Sequence, residues 1–333
     1  MKNEIVTIQW LRGLAALSVV VQHTAFKSHQ YNYNILTGYN VGSFGVDLFF
    51  IISGFIMCHV TSEKTKPTEF LRRRLTRILP LYWLLSLFAL VIYIIKPSLV
   101  NSSGGNIDII SSIFITPTKD KLLLQNGWSL SYELFFYLII SASLLFGRKY
   151  LCSFTNLAIF LLVLAGLLHQ PLNEYLKFAT NTLFIEFSMG FFAYYLYQKI
   201  QNTNWFINLT LLAAGVTALT YQHINADIFD LKYRFLHAGI PMLLIFLSFV
   251  LYEDKARRIR SSILEKIRFS SYSLYLSHAF VLSPSAKIIS KITSNAYVFS
   301  CSLILLSVIV GLLCHRFVEI PLNKLVSNSV SKT

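Results

Sequence analysis

Arg12 and His23 lie in the first hydrophobic stretch of a chain of 333 residues that is mostly hydrophobic stretches. Eleven residues make about three helical turns, so the two side chains fall on nearly the same face of a helix, roughly 16 Å apart along its axis. Ionisable groups at membrane depth are expensive and are usually retained for function. A cation deep on one side and a proton acceptor toward the other suggest chemistry that spans the bilayer. Asp47, near the start of the second stretch, is expected at the depth of His23. A carboxylate beside a histidine fixes its tautomer and stabilises the imidazolium, and such a pair serves as general base on a hydroxyl. The plain alternative is a structural histidine hydrogen-bonded inside a bundle, with Asp47 at a helix start.

The run Arg72-Arg73-Arg74-Leu75-Thr76-Arg77 comes next. Arg73 and Arg77, and Arg74 and Arg77, have the spacing of helix neighbours, and guanidinium groups so placed grip phosphates bidentately. A basic run beside a membrane also anchors topology and anionic lipid. In Trp128-Ser129-Leu130-Ser131-Tyr132-Glu133, Ser129 and Glu133 share a face. Trp128 could stack on a sugar and Glu133 could orient an acceptor hydroxyl. The bland reading is an interfacial Trp and a carboxylate at a helix N-terminus. Gly42, Gly45, Ser53 and Gly54 read as close-packing positions, Ser53 also as a supporting contact. His278 falls nearer mid-membrane, with Glu186 as a candidate neighbour. Arg316 and Glu319 read as a local ion pair ending the last helix.

The elements that position these groups follow from composition. The chain is 55% hydrophobic and 13% charged, about half the charge of a soluble protein. Ten spans are expected: 8–26, 44–62, 79–96, 129–147, 153–169, 180–199, 205–222, 235–252, 272–290 and 296–318, most approaching the ~20 residues that cross a hydrocarbon core. With the N-terminus inside, Lys and Arg divide nineteen to nine in favour of the cytoplasmic side, and Arg12 completes the 29. Both termini are therefore placed in the cytoplasm. The fold class is all-α and polytopic, one domain over residues 1–333 with no appended soluble module. Pro67-Thr68-Glu69 reads as a helix start capped by Thr68, carrying the arginines along the inner surface to a kink at Pro80. The longest outer segment, 97–128, opens on the turn-rich run 101–106.

The net charge of +14 is accounted for by cytoplasmic anchoring and needs no nucleic acid. Cys58, Cys152, Cys301 and Cys314 show neither metal-ligand spacing nor a disulfide framework, and no metal site is expected. Arg12 and the Gln22–His23 pair interrupt any cleavable leader. No phosphate-binding loop, nucleophile elbow or zinc motif is present.

Taken in order, these segments resemble the acyltransferase-3 family of bacterial membrane O-acyltransferases. The matching pieces are Leu11-Arg12-Gly13-Leu14-Ala15-Ala16 through His23, Gly45-Val46-Asp47-Leu48-Phe49-Phe50-Ile51-Ile52-Ser53-Gly54-Phe55, and Phe70-Leu71-Arg72-Arg73-Arg74-Leu75-Thr76-Arg77-Ile78-Leu79-Pro80. Trp128 to Glu133, Ser271 to His278, and Phe317-Val318-Glu319-Ile320-Pro321 complete the set. The resemblance implies a ten-helix domain in the bacterial inner membrane that moves acetyl from cytoplasmic acetyl-CoA, or another acyl-CoA, to a hydroxyl of an O-antigen, capsule or exopolysaccharide. The family's Arg-x10-His falls on Arg12 and His23, the latter its catalytic residue. Its Arg-x-x-Arg falls on Arg74 and Arg77, at the donor. No permanently bound cofactor is implied. The expected partners are acyl-CoA, a surface or lipid-linked glycan, membrane lipid and either a further copy or a partner protein. The expected roles are His23 and Asp47 in catalysis; Arg12, Arg73, Arg74 and Arg77 at the donor; and Trp128, Ser129 and Glu133 at the acceptor. Ser53 and His278 are in support. A flippase for lipid-linked glycan, and a non-catalytic assembly subunit, are the competing readings.

Overall fold

The computed structural model describes residues 5–33, 35, 36, 38–100, 104–200, 203–225, 233–257 and 270–330. Lys2, Lys232, Arg258, Arg260, Lys266, Arg268, Lys332 and the start of the turn-rich run, 101–103, lie outside the described residues. Ten principal helices overlap the ten expected spans: α1 Val6–Gln30, α2 Gly45–Val60, α3 Pro67–Ile95, α4 Gly127–Ser143, α5 Leu151–His169, α6 Phe184–Lys199, α7 Trp205–Asn225, α8 Ile240–Val250, α9 Ser271–Ile289 and α10 Ala296–Cys314. A π-helical turn at Phe235–Gly239 leads into α8, and another at His315–Glu319 continues α10 into a final helix, Ile320–Val330. Among the described residues, five helical runs are long and apolar enough to cross a membrane: Val41–Val60, Pro67–Ile95, Gly127–Phe146, Arg148–His169 and Ala296–Val326. The other helices are shorter or diluted by polar side chains such as Arg12, Gln22 and His23 of α1. The protein is a membrane protein built of helices.

Contacts between helix ends show that successive helices alternate in direction. The first N–H groups of α1 lack partners within their own helix. Those of Val6 and Thr7 donate to the Glu253 carboxylate beyond α8, at 2.8 and 2.9 Å, and the Thr7 hydroxyl joins them at 2.7 Å. A negative charge there also complements the helix dipole. At the same end Arg148 donates to the carbonyls of Cys58 and Thr61, where α2 stops, and Ser141 of α4 donates to the Pro67 carbonyl, where α3 begins. Cys58 and Cys152, far apart in sequence, bring their sulfurs to 2.8 Å.

One expectation for α3 is corrected: Lys66, not Thr68, is the N-cap residue, and Pro67 takes the first helical position, where a missing N–H costs nothing. The arginine segment and the third span form one 29-residue helix with Pro80 inside it.

The closest helix pair is α2 with α6, where Gly54 faces Gly190. A Cβ on Gly54 would stand 2.0 Å from the Phe187 carbonyl oxygen, and one on Gly190 would stand 2.2 Å from that of Ile51. Both obstacles are backbone, which cannot step aside as a side chain does. Phe50, Phe136 and Phe187 stack beside this contact, with ring centroids 4.7 and 4.1 Å apart. Replacing Gly190 by Val should therefore cost about 1–3 kcal/mol or more by overpacking, read as a lower apparent Tm of the purified protein.

The segment between α3 and α4 is ordered around Asp108. Its carboxylate accepts from the Ser111 N–H and hydroxyl, at 2.9 and 2.6 Å, and from the Thr118 hydroxyl at 3.1 Å. It thereby caps the helix Ile109–Phe114. Those donors, led by the Ser111 side chain, hold the Asp108 carboxyl below the usual carboxylate range. A depressed carboxylate contributes order above its unfolded pKa of about 3.9, and that order is lost as pH falls through the lower folded value. Amide-exchange protection across 108–121 should persist at pH 5 and collapse in acid, and Asp108→Ala should abolish the difference.

Candidate active site

Five helices converge on one pocket. Arg12 comes from α1, Ser53 from α2, Arg74 and Arg77 from α3, Ser129, Glu133 and Tyr137 from α4, and Tyr272 and Tyr275 from α9. The space free of atoms is about 780 Å³, part of it open to the surroundings, and its remaining walls are apolar, among them Phe49, Phe50 and Met57. Ser53 donates to Glu133 Oε1 at 3.1 Å, and Tyr137 donates to the same oxygen. Three guanidinium groups thus face one carboxylate. The buried Arg74 Nε has no hydrogen-bond partner, although its guanidinium rests 5.6 Å from the Phe70 ring centre. A buried N–H left unpaired is costly. A pocket with surplus positive charge and an idle guanidinium donor is built for an anion.

The arginine run divides by helix geometry. Arg74 and Arg77 reach the pocket, while Arg73 is exposed and paired with Glu69 one turn back. Its expected place at the donor is thereby corrected. Ser129 and Glu133 share a face, as their spacing requires, but they face the arginines. Trp128 points to a different pocket, which also contains Tyr132.

Asp47 is not the partner of His23. Its two carboxylate oxygens accept from Arg234 Nε and Nη2 at 2.8 and 2.7 Å, and a further N–H of Arg234 reaches the Ser43 carbonyl at 2.9 Å. The Asp47 side chain has no exposed surface, and that of Arg234 is 6% exposed. A fully desolvated carboxylate takes the nearest good cation, and a bidentate guanidinium outcompetes a neutral imidazole. Glu186 stands beside this pair, wholly buried and with neither oxygen hydrogen-bonded, so it is not the neighbour of His278 either.

His23 faces His278 instead. The ring centres are 5.0 Å apart and the planes nearly perpendicular, at 84°. His278 is fully buried, and its Nδ1 lies 3.1 Å from the Leu274 carbonyl oxygen. A carbonyl only accepts, so Nδ1 carries the proton and Nε2 is left with a lone pair; no partner takes it. Tyr275 connects this pair to the arginine pocket. It lines the pocket, its hydroxyl lies 2.7 Å from that of Ser129, and its ring stands 5.8 Å from Phe49 and 6.3 Å from His278. The pocket therefore ends at Phe49 and Tyr275, with the histidines just beyond. At the far end of α10, Glu319 accepts from Ser273 at 2.5 Å and pairs with His315 at 2.8 Å. The expected Arg316–Glu319 pair is not formed, and Arg316 lies over Phe317.

A family model described as "Acyltransferase domain" matches residues 5–316. The chain belongs to the acyltransferase-3 family. It is similar to "Exopolysaccharide production protein ExoZ" of Rhizobium meliloti (strain 1021), with 26% identity over 294 residues that cover 85% of this chain and 90% of that one. It is also similar to "Acyltransferase MdmB" of Streptomyces mycarofaciens, with 33% identity over 139 residues, 38% of this chain and 36% of that one. No solved structure matches. The protein is accordingly a membrane acyltransferase that transfers groups other than amino-acyl groups, which sets aside the flippase and assembly-subunit readings.

Arg234 and Tyr137 were missed by sequence reasoning, whereas Tyr275 lies in the stretch that also carries His278. A signal existed for Arg234, since an aspartate inside an apolar helix demands a cation at similar depth. Tyr137 stands four residues after Glu133, and Tyr275 three before His278. Removing one member of the buried pair should cost about 3–5 kcal/mol, so Arg234→Met should unfold or mislocalise the protein. Asp47→Leu combined with Arg234→Met should recover much of the stability, measured by thermal unfolding of the singles and the double.

Proposed function

We propose that the protein transfers an acyl group, acetyl by resemblance, from cytoplasmic acyl-CoA to a hydroxyl of a cell-surface or lipid-linked glycan in the bacterial inner membrane. The observation that carries this reading is the pocket joining Arg12, Arg74 and Arg77 around one carboxylate, with the Arg74 Nε unpaired. Acyl-CoA is a polyanion with an extended thiol arm. Its phosphates suit guanidinium groups, and the hydrocarbon end of its acyl group suits the Phe49–Phe50–Met57 side of the pocket. All ten helices serve as spans on this reading, and both termini lie in the cytoplasm, as positive-inside anchoring requires. The similarity to a protein named for exopolysaccharide production favours a glycan acceptor.

His23 is the general base. It takes the proton of the acceptor hydroxyl as the oxygen attacks the thioester carbonyl, the C–O bond forms, and the C–S bond breaks to release CoA as thiolate, which takes up the proton. An acyl-His23 intermediate is the variant path. His278, its tautomer set by Leu274, packs edge to face against His23 and limits how that ring can turn. The thioester must pass the contact between Phe49 and Tyr275, so that pair separates donor from acceptor until both are bound. CoA is a substrate here, and the reading calls for no resident cofactor or metal.

Transfer of label from acetyl-CoA to envelope glycan of the host tests this. His23→Ala should abolish it, and a folded His23→Ala protein with full activity would refute the assignment. Arg74→Ala should raise KM for acyl-CoA about 10-fold or more, the loss of a charge-assisted hydrogen bond of about 1.5–3 kcal/mol. Arg73→Ala should change it less than about 3-fold, as exposed ion pairs contribute little.

A further inference from the structure

A second pocket opens at the opposite end of the bundle, on the other side of α4 from the arginines. One wall is aromatic: Trp128, Tyr132 and Phe178, with Trp128 and Tyr132 edge to face at 6.0 Å and Tyr132 to Phe178 at 4.5 Å. The other walls are polar, with Thr118, Asp120 and Gln125 from the loop before α4 and Glu174, Lys177 and Asn181 from the segment before α6. The space free of atoms is about 1050 Å³, including its open mouth.

The walls are held in place independently of any ligand. Asp108 binds Thr118 and fixes the first loop. Asn173 caps the helix Glu174–Ala179 by accepting from the Tyr175 and Leu176 N–H groups. Lys119 and Lys177 both pair with Glu174, at 3.6 and 3.1 Å, joining the two segments across the rim. The Asn181 amide oxygen accepts from the Leu183 N–H, which turns its NH2 group to other partners. Asp120 makes no ion pair among the described residues; its own N–H donates to Thr118.

Charge decides which ligands fit. Two lysines share Glu174, and Asp120 adds a carboxylate without a cation, so the pocket has no surplus positive charge and repels phosphate. This is the reverse of the arginine pocket. A purely apolar ligand would leave the polar contacts offered by Asp120, Gln125 and Asn181 unused and would cost free energy wherever it covers one of them unpaired. What remains is a neutral ligand with an apolar face and a ring of hydroxyls. Aromatic faces take the C–H surface, and carboxylate and amide side chains take the hydroxyls as acceptors and donors.

We infer that this pocket binds a neutral pyranose unit of the acceptor glycan, stacked on Trp128 and hydrogen-bonded by Asp120, Gln125 and Asn181. The inference rests on the acyl-transfer reading only for the word acceptor. None of the candidate catalytic groups lines the pocket, so the unit held there is a neighbour of the one acylated. Chain position along the glycan is thereby read at a distance from the reacting hydroxyl.

The test uses the full chain in lipid nanodiscs prepared without glycoside detergents. Saturation-transfer NMR is recorded with methyl α-pyranosides of glucose, galactose, mannose and rhamnose, beside acetyl-CoA binding by calorimetry. At least one pyranoside should receive saturation from the wild type. The signal should fall at least about 5-fold in Trp128→Ala and at least about 3-fold in the exposed double variant Asp120→Ala/Gln125→Ala, with acetyl-CoA affinity unchanged. The double variant guards against a folding failure at Trp128. Absence of signal from every pyranoside, or equal signal in the double variant, overturns the inference even if acyl transfer to glycan is observed. Signal that depends on these residues, in a protein that transfers no acyl group to glycan, upholds the sugar site and refutes the glycan-acceptor reading.

Discussion

An ionised carboxylate with no exposed surface is stable only beside a cation, and the pairing of Asp47 with Arg234 orders one end of the bundle. Asp47 begins α2, and Arg234 immediately precedes the π-helical turn that leads to α8. Two hydrogen bonds to the carboxylate and one to the Ser43 carbonyl tie those elements to the turn before α2. Burial of either charge alone would cost several kcal/mol, so the two segments are located together or not at all. From that anchor α2 runs down against α6 through Gly54 and Gly190, where no side chain separates the backbones. The same helix then presents Phe49 and Ser53 to the pocket.

α4 carries the functional division. Ser129 and Glu133 face the arginines, while Trp128, Ser131 and Tyr132 line the pocket on its far side. A helix separates residues one position apart by about 100°, so a six-residue motif serves two sites of opposite electrostatic character. The arginine pocket has three guanidinium groups and one carboxylate; the outer one has its lysines neutralised. The two histidines stand beside Tyr275, whose hydroxyl meets Ser129 and whose carbonyl accepts from Asn126 at 2.8 Å. The start of α4 thus fixes the wall between the arginine pocket and the histidine pair.

Much of this was legible in the residues. Hydrophobic length marked the stretches that ten principal helices overlap, and five helical runs among the described residues are long and apolar enough to cross a membrane, where a helix satisfies its own backbone. Spacing placed Arg74 with Arg77 and Ser129 with Glu133, because positions three and four apart share a face. Arg12, Arg74 and Arg77, grouped by residue type and expected depth, line one pocket although more than sixty residues separate the first from the others. In the single helix through Pro80, proline weakens the helix locally and tertiary contacts such as Tyr272 to the Ile78 carbonyl offset that weakness.

Partner choice across helices is where the chain pattern ran out. Depth along the membrane normal follows from residue count, and by that measure His23 and Asp47 were suitable neighbours. Azimuth and contact order around the bundle depend on how ten cylinders pack, and no local pattern encodes it. The sequence by itself determined the helical membrane architecture, the family and the set of groups able to do chemistry, because those depend on composition and on periodicity within a helix. Only the tertiary structure decided that Asp47 meets Arg234, that His23 meets His278 and that Trp128 turns away from Glu133, because side-chain pairing between helices is set by rotation and packing.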